Sequence, residues 1–270
     1  MKKAQLIEFT AGELVSGDYT GAIGVVEEIP ANLVIKVTKE SQVAHVVQKN
    51  GMAYETELAL ANAMSGNLTE FLDDPLRLIL GSNEAAYPSL IVNSEASETK
   101  VKTLALFEDY LKSIRGARRI REPAIMMADE LYTNAAKNGG YHGKRNGEKN
   151  GANSSEQSGE AKPQRPGSIE FFASCDETRL VFGCRDSYGD LGFSTVLNRI
   201  NECFENGIVQ SINNGSGGAG IGSFMVFKAC ISYYCGVEKG KRTVVAVALP
   251  LGSSADELDS FPKNIHLRAA

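Results

Sequence analysis

Residues 139–167, GGYHGKRNGEKNGANSSEQSGEAKPQRPG, contain no Val, Leu, Ile, Met or Phe. A segment so poor in apolar groups cannot bury enough surface to offset the entropy of ordering it. The core must therefore come from the sequence on either side, with this stretch left as a flexible loop. Both flanks carry strong patterns of their own, which makes the loop an insertion between two ordered elements and not a domain boundary. Its lysines and arginines read as solvated.

The flank before the loop, ADELYTNAAKNGGY, has helical periodicity. Glu130, Asn134 and Asn138 recur at four-residue steps and so share one face, with Lys137 beside them. Ala124, Ile125, Ala128, Tyr132 and Ala135 form the opposite face, suited to burial against a sheet. One carboxylate, two amides and one ammonium suit holding a ligand, although a solvated face ending at a glycine cap has the same composition.

After the loop, SIEFFASC and TRLVFGCRD alternate about Asp176 and Glu177 and read as a β-hairpin. FSTVLNRINECFENG reads as a helix ending at Gly207, GIGSFMVFKACISYYCG as an apolar helix, and KRTVVAVALPL as a central strand. Upstream, YPSLIVNSE reads as a strand and TKVKTLALFEDYLKSI as a helix with Leu104, Leu106, Phe107 and Leu111 inward. This order predicts an α/β sandwich with the helices gathered on one sheet face. In the first eighty or so residues, KAQLIEF, GAIGVVEEI and NLVIKVT read as short strands and YETELALANAMS as a helix. The expected organisation is an N-terminal α+β region over 1–85, a principal domain over 86–252 with the 139–167 insertion, and a tail over 253–270.

Composition excludes several classes. A net charge of -5 and a pI near 5.4 argue against a nucleic-acid-binding surface. No apolar run approaches the roughly 18–20 residues that span a bilayer, and the N-terminus lacks the apolar core of a signal peptide. Five cysteines without CxxC spacing read as small buried hydrophobes in a reducing cytoplasm.

Two more stretches carry candidate chemistry. In LVFGCRDSYGDLGF, a strand delivers Asp186 to its end, followed by Gly189 and Gly192. An aspartate there can accept from an exocyclic amine while glycines let backbone approach a planar ring; an ordinary strand-end turn uses the same residues. In NNGSGGAGIGSFMVFKA, glycines that include Gly218, Gly220 and Gly222 crowd a helix start whose unpaired N–H groups favour an anion, and a flexible linker is the plain alternative. The run does not follow a strand in a βαβ unit, which disfavours a Rossmann site, and GxxxxGK[ST] is absent.

In this order the three motifs resemble those of the GHKL superfamily of ATP-binding domains, which includes DNA gyrase, histidine kinases and anti-sigma-factor serine kinases. ADELYTNAAKNG resembles its N box, RDSYGDLG its first glycine box and GGAGIGS its second. The resemblance covers roughly residues 88–252. It implies a two-layer α/β sandwich with helices on one face of a mixed sheet, extended here by the N-terminal region. It implies ATP and Mg²⁺ as cofactors, with Asn134 coordinating the metal and Lys137 and Asn138 near the phosphates. By the same resemblance Asp186 accepts from adenine, Gly189 lies at the base, the loop with Gly218, Gly220 and Gly222 wraps the triphosphate, and Glu130 is the general base. The first box departs from DxGxG, because both Ser187 and Tyr188 separate Asp186 from Gly189.

The chain is too short for the transducer and cleavage parts of gyrase-like members. None of His45, His142 and His266 sits on a helical dimerisation segment, as a histidine kinase requires. The size and the short interval between glycine boxes look most like the anti-sigma serine kinases. The expectation is a Mg-ATP-binding regulatory protein, a kinase acting on a partner protein and able to form a homodimer. Its alternatives are a nucleotide-binding switch with little catalysis, a histidine-kinase-like ATPase domain, or a fold kept for protein binding alone.

Overall fold

A computed structural model describes residues 4–9, 19, 21–81, 88–94, 100–138, 167–214 and 221–270. The insertion read over 139–167 thus lies outside the described residues except for Gly167, as do Gly218 and Gly220. The fold is mixed α/β, built on one nine-stranded sheet. Its strands are β1 (Leu6–Phe9), β2 (Ile23–Val26), β3 (His45–Gln48), β4 (Leu90–Ser94), β5 (Ile169–Cys175), β6 (Arg179–Asp186), β7 (Ser232–Glu238), β8 (Arg242–Pro250) and β9 (Asn264–Ala269). They lie in the order β1-β2-β3-β9-β7-β8-β6-β5-β4. The pairs β1–β2, β2–β3 and β7–β9 are parallel and the others antiparallel. The helices are α1 (Ala31–Glu40), α2 (Tyr54–Gly66), α3 (Leu68–Asp73), α4 (Pro75–Leu80), α5 (Lys100–Ser113), α6 (Arg121–Asn138), α7 (Phe193–Asn214) and α8 (Ile221–Ala229).

The central strands are buried on both faces, so their sequences are apolar almost throughout. Side chains alternate between two cores, as the strand period of two requires. Phe171, Phe182, Tyr233 and Val247 point into one core with α1, α5, α6, α7 and α8. Phe172, Val181, Tyr234 and Ala246 point into the other, against Leu60 and Met64 of α2, Phe71 of α3 and Ile79 of α4. The helices between residues 100 and 229 do share one face. The sandwich expected from sequence is nevertheless covered on its second face by the N-terminal helices, because both faces of β5–β8 are apolar.

Four local readings are corrected. NLVIKVT forms α1 and not a strand, since Val34, Ile35, Val37 and Thr38 fall on one buried helical face. The apolar run after Gly220 is a helix only to Ala229, and Ser232–Glu238 is β7. Leu106 of α5 is 39% exposed, while Phe107 and Leu111 are the residues that turn inward. The expected tail contains β9, which sits between β3 and β7. Helix α7 breaks at Gly207, where a helix end was expected, with φ 75° and ψ 160°, and a second helical segment runs on to Asn214. All five cysteines are free and buried, as anticipated.

Candidate functional site

Helix α6 is positioned by its apolar face, where Ala124, Met127, Ala128, Leu131, Tyr132 and Ala135 are buried. Ser94 of β4 gives its proton to the Ile169 carbonyl at 3.0 Å, so the Tyr132 hydroxyl must be the donor in its 2.6 Å contact with Ser94 Oγ. That bond locks the rotation of the helix against the sheet. Lys100 of α5 adds a second clamp, reaching Asp129 and Thr133 at 2.7 Å each.

The polar face of α6 is thereby fixed. Asn134 Nδ2 donates to Glu130 Oε1 at 2.9 Å, and both side chains are half-buried. An ionised carboxylate only accepts, so the amide must present its nitrogen to Glu130. This leaves Asn134 Oδ1 as the acceptor end of the amide. Lys137 is exposed one turn further on, and Asn138 is the last residue of the helix.

Helix α8 meets this face at its first turn. A Cβ placed on Gly222 would overlap the Glu130 carboxylate. The missing side chain of Gly222 is therefore filled by Glu130, which lies against the N-terminal end of α8. Gly222, expected in a loop wrapping phosphates, lies in the first turn of α8 with the carboxylate packed against it.

Asp186 ends β6 and is buried, with Oδ1 accepting from the backbone N–H groups of Tyr188 at 2.9 Å and Gly189 at 3.3 Å. The strand-end turn reading thus describes this carboxylate as well as the ligand reading does. Gly189 has φ +65°, and a Cβ there would collide with the Glu238 carbonyl and the Gly240 and Lys241 nitrogens. Its lack of a side chain serves the β7–β8 turn, where Gly240 N also bonds Gly189 O at 3.1 Å. Gly189 is not among the residues that line the cavity described next.

Between α6, α7, α8 and the sheet lies a cavity of about 180 Å³. Cys184, Tyr233 and Val245 form its sheet side, and Leu131, Ala135, Leu191 and Val196 add apolar walls. Its polar groups are Asn134 and Lys137 from α6, Asp186 from β6, Thr195 and Arg199 from α7 and Ser223 from α8. Burial pushes the Cys184 thiol and the Tyr233 hydroxyl well above their ordinary values, so the floor is uncharged. Sites for drug-sized ligands run to roughly 300–1,000 Å³, so the volume enclosed by the described residues suits a planar ring more than a whole nucleotide.

Of the residues expected from sequence, Asn134, Lys137 and Asp186 meet at this cavity, and Glu130 is joined to it through Asn134. Sequence reasoning missed Thr195, Arg199, Ser223 and Tyr233. The first two were detectable as an i, i+4 pair on α7. Among the described residues no group of three or more His, Cys, Asp or Glu could hold a metal ion. A hard cation here would draw on the Asn134 amide oxygen and on oxygens of the ligand itself. No family model matches the chain. No curated protein matches it either.

Proposed function

We propose that this cavity is a Mg-ATP site of the GHKL type and that the protein is a regulatory kinase acting on a protein partner. One observation carries the reading. Asn134, Asp186 and Ser223, each from a different one of the three sequence motifs, line a single cavity. Turn, cap and linker roles would account for each motif separately, but they give no reason for the three to converge.

The chemistry follows from the side chains. Asp186 at the buried end accepts from a base amine, with Leu131, Val196 and Val245 packing on the ring. Lys137 and Arg199 supply positive charge for phosphate oxygens. Asn134, turned by Glu130, would hold Mg²⁺, which neutralises phosphate charge when bound. Glu130 Oε1 is engaged by Asn134, so Oε2 is the atom that would take the proton of an attacking hydroxyl.

Thermal-shift titration with ATP, with and without Mg²⁺, tests the site. Wild type should be stabilised by ATP only with Mg²⁺, and Asn134→Ala should abolish that stabilisation while keeping its own unliganded Tm. Wild-type affinity in Asn134→Ala overturns the assignment. Glu130→Gln should bind Mg-ATP yet lose transfer or hydrolysis by about 10²- to 10⁴-fold. Binding in wild type with neither reaction would make the protein a nucleotide-dependent switch.

A further inference from the structure

Elsewhere in the sheet runs a chain of buried ionisable groups that the proposed chemistry does not use. Glu57 of α2 is fully buried. Its Oε1 accepts from Tyr234 OH at 2.7 Å, Ser232 Oγ at 2.9 Å and Arg179 Nη1 at 3.4 Å. Its Oε2 lies 2.9 Å from His266 Nε2, and His266 Nδ1 lies 3.2 Å from His45 Nδ1. The chain stops at His45 Nε2, buried without a hydrogen-bond partner among the described residues.

The proton positions are constrained. The Glu57 carboxylate accepts, so His266 Nε2 carries a hydrogen. With one proton in the contact between the two Nδ1 atoms, given by His45, the His45 Nε2 carries a lone pair and no hydrogen. A further proton must leave a charged imidazole whose Nε2–H, on His45, has no acceptor. Burial, the neighbouring His266 and Arg268 all hold His45 well below its ordinary value of 6.5. Burial alone would raise Glu57, but His266, Arg179 and Tyr234 bring it below its ordinary value, so it stays an anion bonded to His266 and not to His45.

This pair sits at the narrowest joint of the sheet. Strands β3 and β9 pair at two positions only, His45 with His266 and Val46 with Ile265. By contrast β6 and β8 pair at eight positions. The joint is finished by single bonds, Leu267 N to Ala44 O at 2.7 Å, Gln48 N to Asn264 Oδ1 at 2.9 Å and Gln48 Nε2 to Lys263 O at 2.9 Å.

We propose that the β3–β9 joint is a proton-gated hinge, in which a further proton at the His45–His266 pair parts β1–β3 from the rest of the sheet. The groups facing the pair leave no other outlet: Glu57 of α2 is already bonded to His266, and Arg179 of β6 and Arg268 of β9 are cations. Helix α1, which joins β2 to β3, packs on α7, the helix that carries Thr195 and Arg199 into the cavity. Opening of the joint therefore withdraws support from one cavity wall.

Hydrogen exchange of the full chain between pH 7.5 and 5.5, expressed as protection factors, tests this. Protection of residues 44–48 and 264–268 should fall about tenfold per pH unit once the pH is below that of a free imidazole, with β6 and β8 still protected. His45→Gln should remove this acid response. A joint whose protection ignores pH, simultaneous loss in all strands, or an unchanged response in His45→Gln each overturns the proposal. Should His45→Gln not fold, imidazole nitrogen NMR of wild type decides: protonation must accompany opening, and opening with both rings neutral overturns it.

Discussion

Replacing Gly222 by Ala separates stability from function. The new Cβ would overlap the Glu130 carboxylate, the far end of a flexible side chain, so the carboxylate swings away and the backbone stays. Two opposing terms set the change in stability. Alanine is favoured over glycine in a helix by up to about 1 kcal/mol. The displaced carboxylate loses its bond to Asn134, and bonds to charged groups are worth roughly 1.5–3 kcal/mol. This site is half-buried and water can replace the partner, so the lower end applies. The net loss is about 1 kcal/mol or less, a fall in Tm of at most roughly 2–4 °C. Turnover should drop by about 10²- to 10⁴-fold if Oε2 is the proton acceptor, because the base no longer stands over the site. The assay is a double-mutant cycle by thermal denaturation and ATP turnover, with Gly222→Ala, Glu130→Ala and the pair. Removing the carboxylate removes the overlap, so the double variant should be no worse than Glu130→Ala alone. Wild-type turnover in Gly222→Ala, or full additivity in the cycle, would show that the glycine does not seat Glu130.

Two further substitutions address residues held by close contacts away from the cavity. Gly189→Ala combines a positive φ with contact against backbone that cannot yield, so it should lower Tm by several degrees even without nucleotide; an unchanged Tm would return Gly189 to a ligand role. Glu57→Gln removes the buried negative charge that His266 and Arg179 share, while Arg179 keeps Asp176 at 2.9 Å, and should cost about 3 kcal/mol, a drop in Tm of roughly 6–12 °C. Because the folded-state Glu57 carboxyl lies below its ordinary value of 4.5, its stabilisation is complete above that value and is lost as the pH falls through the folded-state one. Glu57→Gln should therefore flatten the acid limb of the stability curve, and an acid limb identical to wild type would refute the ion-pair account.

Local periodicity made the principal elements legible. Helix α6, the β5–β6 hairpin and β8 were each readable from a short window, since their apolar spacing matches one period only. Failures arose where a window fits two periods or where the partner is distant. The β-branched Val34, Ile35, Val37 and Thr38 favour a strand by propensity, yet packing on the sheet makes them helical. Between Ile221 and Glu238 almost every residue is apolar or small, so neither period marks the change from α8 to β7. Strand β9 was invisible for another reason. Its contact with β3 spans 221 positions and rests on paired histidines, which carry no hydrophobic signal.

The glycines set a different limit, one that periodicity cannot lift. A glycine in sequence states only that a side chain is missing, not which atoms use the space. Gly189 and Gly222 both lie in motifs that suggest nucleotide contact, and both are required by close approach. At Gly189 the approaching atoms are the backbone of the β7–β8 turn, while at Gly222 they are the carboxylate of Glu130. One glycine thus belongs to the scaffold. The other joins the first and third motif-bearing elements through a side chain 92 positions earlier, since 222 less 130 is 92. The motif spacing alone is compatible with either use. What separates them is the residue opposite, and that residue is chosen by the rotation of α6, which Tyr132 and Ser94 set from the far side of the helix.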